Sequence, residues 1–62
     1  MIVKKIKVLS DGNELKFVKK AQVKSGELLV YRYTKSECKL GMEVTFTKEE
    51  LERQLSNNFR EI

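Results

Sequence analysis

The chain has 62 residues, a formal net charge of +4 and one cysteine, Cys38. A chain this short has room for one small domain over residues 1–62, with a thin hydrophobic core. A single cysteine excludes an intramolecular disulfide, and a sequence without histidine argues against a four-ligand zinc site, so we expect neither a metal nor any other cofactor.

The sequence favours a cytoplasmic protein without membrane contact. A free cysteine is typical of a reducing compartment. Lysines interrupt each apolar run of residues 1–8, MIVKKIKV, which therefore lack the apolar centre of a signal peptide. The longest apolar run, residues 28–31, is far shorter than the about 20 residues that span a bilayer.

Residues 2–9 predict the first β-strand, because they are rich in β-branched side chains and place Ile2, Ile6 and Val8 on one side. The dipeptide Asp11-Gly12 predicts a two-residue hairpin turn, and residues 14–23 return as the second strand. Ser25-Gly26 predicts a second tight turn before a third strand over residues 28–35.

A loop over residues 36–41 separates the third strand from a fourth, residues 42–46. Pairing of the fourth strand with the first would bend the sheet toward a small, partly open barrel. Pairing with the third would leave an open meander. The sequence does not distinguish these two topologies.

Thr47 predicts the start of a helix, since its hydroxyl caps free amides and Glu50 follows at capping-box spacing. An apolar stripe follows, formed by Leu51, Leu55, Phe59 and Ile62. Residues 56–58, Ser-Asn-Asn, weaken the last turns, so the helix is expected to fray after Leu55. The predicted fold class is α+β: a four-stranded antiparallel sheet followed by one C-terminal amphipathic helix packed on one face.

The two tight turns set a register in which side chains alternate between faces. One face is predicted to form the core with Ile2, Ile6, Val8, Leu15, Phe17, Ala21, Val23, Leu28 and Val30. Three cationic residues, Lys4, Lys19 and Arg32, fall on the same face. Either the helix leaves that end uncovered, or Lys19-Lys20 is a β-bulge that reverses the faces on one side of it.

The opposite face is predicted to be basic and to carry two tyrosines. Residues 1–39 hold ten Lys/Arg against four Asp/Glu, so the positive charge is concentrated on the strands. Lysines neutralise phosphates, and exposed aromatic rings stack on unpaired bases. We therefore expect a nucleic-acid-binding domain that prefers single strands, with a site formed by Lys5, Lys7, Lys16, Lys20, Tyr31, Tyr33 and Lys35.

The alternative is a protein-interaction module, such as a small inhibitor or accessory protein of viral or mobile-element type. Leu29, Tyr31 and Tyr33 would then meet an acidic protein surface or a second copy of the chain as a homodimer, because tyrosine is also favoured at protein interfaces. We expect no catalysis in either case. The acidic residues Glu49, Glu50 and Glu52 are explained by the start of a solvated helix.

From about Lys16 to Leu55 the layout resembles the positive-cofactor type of single-stranded-DNA-binding proteins. The segments that carry the resemblance are QVKSGELLVYRY, a tight hairpin into an aromatic strand, and GMEVTFTKEELERQL, a last strand leading into a capped helix. The resemblance implies a curved basic sheet that binds single strands and a helix that dimerises through Leu51, Leu55 and Phe59. The acidic, short helix departs from that pattern. In size, charge and terminal helix the chain is also similar to the archaeal seven-kilodalton chromatin proteins.

Overall fold

The computed structural model describes residues 2–62 and consists of one antiparallel sheet of five strands and one helix. In chain order the elements are β1 (Lys5–Val8), β2 (Glu14–Val23), β3 (Gly26–Lys35), β4 (Glu43–Phe46), α1 (Lys48–Leu55) and β5 (Phe59–Glu61). The strands lie in the order β4-β3-β2-β1-β5. No helix within residues 2–62 is long and apolar enough to cross a membrane.

The turn between β1 and β2 has four residues, Leu9 to Gly12, rather than the predicted two. The amide of Val8 donates to the carbonyl of Asn13 at 2.8 Å, and the amide of Gly12 donates to the carbonyl of Val8 at 2.8 Å. A two-residue type I′ turn needs positive φ at both central residues, and here only Gly12 has it, with φ 75°. The longer turn moves the register by two residues, so Lys5 rather than Lys7 lies opposite Lys16.

The turn between β2 and β3 is Lys24-Ser25, because Val23 pairs with Gly26 across the hairpin. The predicted turn at Ser25-Gly26 was therefore one residue too late. Gly26 begins β3 with φ 136°, a conformation that side-chain-bearing residues rarely adopt.

A β-bulge interrupts β2 at Val18. Phe17 pairs with Tyr31 and Lys19 pairs with Val30, which leaves Val18 as an extra residue without its own partner on β3. The bulge lies just before the Lys19-Lys20 position considered from the sequence. Since one extra residue reverses the alternation of side chains, Tyr31 shares a face with Phe17, and the assignment of faces for β3 was wrong.

The core lies between the sheet and the helix. Its buried members are Ile6, Val8, Leu15, Leu29, Tyr31 and Leu51, with Phe17, Val44, Phe46, Leu55 and Phe59 among the partly buried residues packed against them. The predicted core was correct on β1 and in β2 up to the bulge. Beyond the bulge it was wrong: Val23 is 43% exposed, and Val30 is buried on the opposite face of the sheet.

Four aromatic rings extend across the core in successive edge-to-face contacts. The ring centroids of Phe17 and Tyr31 are 5.5 Å apart, those of Tyr31 and Phe46 are 5.8 Å apart, and those of Phe46 and Phe59 are 5.6 Å apart. This geometry is favourable for aromatic pairs beyond the burial of their surface. The contacts connect β2, β3, β4 and β5 on the side of the sheet that the helix covers.

Helix α1 begins as predicted, with the amide of Glu50 donating to Oγ1 of Thr47 at 3.1 Å. It ends at Leu55, a turn covers residues 56–58, and the chain then forms β5 along β1. The predicted count of four strands was therefore too low. Ser and Asn are weak helix formers, and the open edge of β1 provides backbone partners that a frayed helix would lack. Strand β4 pairs with β3, which makes the sheet an open one.

Candidate nucleic-acid interface

The helix covers one face of the sheet, and the opposite face, called the outer face here, is rich in charge. Alternation from the buried residues Ile6, Leu15 and Tyr31 assigns the side chains to each face. The charged residues of the outer face are Lys5, Lys7, Glu14, Lys16, Lys19, Arg32, Lys35, Glu43 and Arg60. Seven are cationic and two are carboxylates.

One row of the outer face places three cations side by side. Lys5 pairs with Lys16 across β1 and β2, and Lys16 pairs with Arg32 across β2 and β3. Adjacent strands are about 4.8 Å apart, so the row spans roughly 10 Å. At its β4 end Arg32 makes a salt bridge with Glu43 at 2.8 Å.

The neighbouring row is partly neutralised. It contains Arg60, Lys7, Glu14 and Lys35 on successive strands. Nζ of Lys35 lies 3.9 Å from a carboxylate oxygen of Glu14. Within the part of the chain that the structure describes, Lys5, Lys7, Lys16 and Lys19 have no carboxylate oxygen within 4.0 Å of Nζ.

The two tyrosines predicted for this face lie on the other side of the sheet. Tyr31 is 0% exposed, and its hydroxyl donates to the carbonyl oxygen of Val3 at 2.5 Å. Burial raises the pKa of the Tyr31 phenol, and the nearby carboxylate of Glu61 adds to the increase. Tyr31 therefore cannot stack on a base in this structure, and its predicted placement is corrected.

Tyr33 and Lys20 are also separated from the basic face. Tyr33 pairs with Leu15, is partly buried against the core, and has Nζ of Lys39 at 5.5 Å from its ring centroid. Lys20 pairs with the buried Leu29 and lies 4.0 Å from a carboxylate oxygen of Glu27. The bulge explains both changes, because it reverses the faces of β3 relative to the first part of β2.

Of the predicted site residues, the structure brings Lys5, Lys7, Lys16 and Lys35 together on the outer face. Lys19, Arg32 and Arg60 also lie on this face and were not predicted there. Lys19 and Arg32 could have been recognised from the sequence. The predicted register placed them with Lys4 on the core face, and cations on a core face indicate a bulge. Arg60 carried no such signal, because residues 59–62 were read as the end of a helix.

Other candidate sites carry little chemistry. A depression of about 540 Å³ lies between the loops around Asp11 and Cys38, but the Asp11 carboxylate already accepts two hydrogen bonds from Asn13, at 2.9 and 3.2 Å. Residues 2–62 contain no cluster of three or more His, Cys, Asp or Glu that could hold a metal ion. Cys38 is exposed.

Comparisons with protein-family models, curated proteins and solved structures give no significant match. The outer face, with its arrangement of charges, is therefore the surface from which a function is inferred.

Proposed function

We propose that this chain is a non-catalytic nucleic-acid-binding module that contacts the phosphate backbone with its outer face. The observation that carries the proposal is the row Lys5, Lys16 and Arg32, three cations on three adjacent strands. Like charges directly opposite each other destabilise a sheet. Phosphate groups lying over the row would offset that repulsion.

The distribution of charge over the whole fold supports the same orientation of the partner. The outer face carries seven cations and two carboxylates, whereas the helix on the opposite side carries Glu49, Glu50 and Glu52 against Lys48 and Arg53. A polyanion approaching such a molecule is steered toward the basic side. The outer face would therefore make first contact.

The structure changes the expected mode of binding. Preference for single strands depended on stacking by Tyr31 and Tyr33, and Tyr31 is buried in the core. Support for binding comes instead from positive charge. Cationic side chains attract the phosphates of a nucleic acid of any sequence and release their counterions. The proposed contacts are made by Lys5, Lys7 and Lys16, with Lys19 and Arg32 added.

A protein partner is the second candidate, on a different surface from the one predicted. The patch of Leu29, Tyr31 and Tyr33 is largely inside the core. Leu40 and Met42, in the segment before β4, are instead 67% and 56% exposed. Two large apolar side chains close together in sequence at the surface favour an apolar contact with another protein or a second copy of this chain.

Fluorescence anisotropy with labelled single- and double-stranded oligonucleotides tests the proposal, with protein titrated at several salt concentrations. We expect binding that weakens steeply as salt rises, because each neutralised phosphate releases counterions. The double variant Lys5→Gln/Lys16→Gln is expected to bind at least about tenfold more weakly and to reduce the salt dependence. The matched control is Lys48→Gln/Arg53→Gln, which removes the same number of charges on the helix side.

Two results would contradict the proposal. One is a lack of binding to both kinds of oligonucleotide at low salt. The other is equal loss of affinity in Lys48→Gln/Arg53→Gln and in the outer-face variant, which would show that only net charge matters. A Leu40→Ser/Met42→Ser variant in sedimentation velocity tests the second candidate, because self-association through this pair should disappear.

A further inference from the structure

Strand β2 has an uncovered edge along the part that leads to the turn with β3. Strand β1 pairs with β2 up to Lys16, and the amide of Phe17 donates to the carbonyl of Lys4 at 2.8 Å. Residues 19–23 pair with β3 on one side and, within the described chain, with no strand on the other. At about 3.4 Å per residue, this edge is about 17 Å long. We call residues 19–23 the free edge.

The free edge exists because the chain before β1 turns away from the sheet edge. The carbonyl oxygen of Val3 accepts a hydrogen bond from the hydroxyl of Tyr31, whose buried side chain lies on the covered face. Residues 2–3 therefore cross the covered face instead of extending β1 along β2. Val3 also packs against the core, so its course is part of the fold. The edge is left to a strand from outside the described chain.

The backbone groups of Lys20 and Gln22 point outward at the free edge. Val23 pairs with Gly26 across a two-residue turn, so these two residues exchange backbone hydrogen bonds. Successive residues of a strand direct their N–H and C=O groups to opposite edges. Ala21 and Val23 therefore bond to β3, whereas Lys20 and Gln22 present their N–H and C=O groups to the exterior. An extended polypeptide satisfies such a row, because its own groups have the same spacing.

The two sides of the free edge differ in chemistry. By alternation from the buried Leu29, the side chains of Lys20 and Gln22 lie on the helix side, and those of Ala21 and Val23 lie on the outer side. Val23 is 43% exposed. A strand added at the edge would therefore meet apolar side chains on its outer side and polar ones on its helix side.

A cavity lies beside the free edge on the helix side. Its volume is about 150 Å³, and Lys20, whose Nζ lies 4.0 Å from a carboxylate oxygen of Glu27, forms part of its wall. Its apolar lining consists of Ile2, Val3, Leu29, Leu51 and Leu55. An apolar cavity of roughly 150 Å³ holds a benzene molecule. An added strand would lie about 4.8 Å from β2, so one of its large apolar side chains can enter this cavity.

Charge favours a peptide of another protein over a second copy of this chain. Lys19, Lys20 and Lys24 make this part of β2 positive, so pairing of two identical edges would bring like charges together. Lys19 lies on the outer side and, among residues 2–62, has no carboxylate oxygen within 4.0 Å of Nζ. A carboxylate opposite Lys19 would form an ion pair across the sheet. The complementary strand is therefore acidic as well as apolar.

We propose that the free edge binds an extended segment of another protein as an added antiparallel strand. The segment places a large apolar side chain in the cavity and a carboxylate opposite Lys19. In this mode of recognition backbone hydrogen bonds supply affinity, and pockets for alternate side chains supply specificity. The free edge is separate from the row Lys5, Lys16 and Arg32. The inference therefore goes beyond the proposed function and does not depend on it.

Fluorescence anisotropy with a fluorescein-labelled peptide, Thr-Thr-Val-Phe-Glu, tests the proposal. Antiparallel pairing places its phenylalanine opposite Lys20 and its glutamate opposite Lys19. We expect binding that weakens at least about tenfold when the phenylalanine is N-methylated, because the N–H that faces Lys20 is lost. A peptide with lysine in place of the glutamate should bind the wild type more weakly and recover on Lys19→Glu. No binding of the original peptide at millimolar concentration would overturn the proposal.

The variant Gln22→Pro removes an N–H that faces the free edge and is not used in pairing with β3. We expect it to bind the peptide about tenfold more weakly, whereas Gln22→Ala, which keeps the amide, should bind it as the wild type does. Both variants should bind oligonucleotides normally, since Gln22 lies outside the outer-face charges. Equal peptide affinity of the two variants would contradict strand addition.

Amide hydrogen exchange measured by NMR locates the strand without any substitution. In the free protein the amides of Lys20 and Gln22 should exchange faster than those of Ala21 and Val23, and the peptide should slow them selectively. Peptide binding that leaves both amides fast would overturn the proposal. So would slow exchange of both amides in the free protein together with dimers in sedimentation velocity, because a second copy would then occupy the edge.

Discussion

The hydroxyl of Tyr31 donates a hydrogen bond to the carbonyl oxygen of Val3, 28 positions earlier in the chain. The bond ties the segment before β1 to the middle of β3 across the covered face of the sheet. Because Tyr31 is 0% exposed, the bond satisfies a phenol that would otherwise be buried without a partner. A residue predicted to bind a ligand is thus part of the structural core.

Tyr31→Phe should lower the free energy of unfolding by about 1–3 kcal/mol, because the Val3 carbonyl loses its donor while the ring packing is kept. Urea denaturation followed by circular dichroism measures the change. Tyr33→Phe is the matched control and should have little effect, since no hydrogen bond of the Tyr33 hydroxyl is present among residues 2–62. Equal effects of the two substitutions would contradict the role of the Val3 bond.

Tyr31 should also make the free energy of unfolding depend on pH in the alkaline range. Burial, with a smaller effect of Glu61, raises the pKa of Tyr31 above its usual value of 10.0. The folded state then favours the neutral phenol. The contribution of Tyr31 to the free energy of unfolding is therefore complete below pH 10 and is lost as pH rises through the folded-state pKa. The stability difference between the wild type and Tyr31→Phe should therefore narrow above about pH 10. A constant difference up to the point of global unfolding would contradict this.

Lys16→Glu should change stability and binding in opposite directions. The new carboxylate would face Lys5 and Arg32 on its two neighbours, replacing repulsion with attraction. Each such pair contributes roughly 0.2–1 kcal/mol, toward the lower end for exposed side chains. We expect a higher melting temperature at low salt and weaker oligonucleotide binding by anisotropy. A lower melting temperature would show that the row is not under electrostatic strain.

Deletion of Val18 should leave the protein folded. Phe17 and Lys19 already pair with Tyr31 and Val30, which are consecutive, so removing the extra residue restores regular pairing without moving any side chain to the other face. We expect a loss of less than about 2 kcal/mol. Deletion of Lys7 is the control: it lies between the buried Ile6 and Val8 and would send one of them to the outer face. Thermal denaturation distinguishes the two, and an unfolded Val18 deletion would contradict the assigned bulge.

Much of the local structure could be predicted because it depends on neighbouring residues. The bounds of β2, the Thr47 cap and the buried position of Leu51 follow from turn residues, capping chemistry and apolar spacing. Strand β5 was missed because its partner, β1, lies about fifty residues earlier, and only the completed sheet offers that edge. The pattern of residues 59–62 alone still favoured a helix.

The candidate site was predicted in part for a related reason. Lys5, Lys7 and Lys16 precede the bulge, so simple alternation places them correctly. Tyr31 and Tyr33 pair with β2 before the bulge. The predicted register was counted from the hairpin turn on the other side of the bulge, so it placed both tyrosines on the wrong face. A bulge of this kind requires no particular residue type at the extra position, so Val18 carries no sequence signal. Its position is decided by which packing buries Tyr31, and that depends on the whole core.

Pairing of β1 with β5 completes the sheet with the last residues of the described chain. The hairpin of β2 and β3, strand β4 and helix α1 are all made before Phe59–Glu61. Until then β1 keeps one edge open, and the aromatic ring of Phe59 is missing from its contact with Phe46. An open edge is a site for pairing with another chain. A chain that lacks β5 is therefore expected to pair with other chains through the open edge of β1 more readily than the complete fold does.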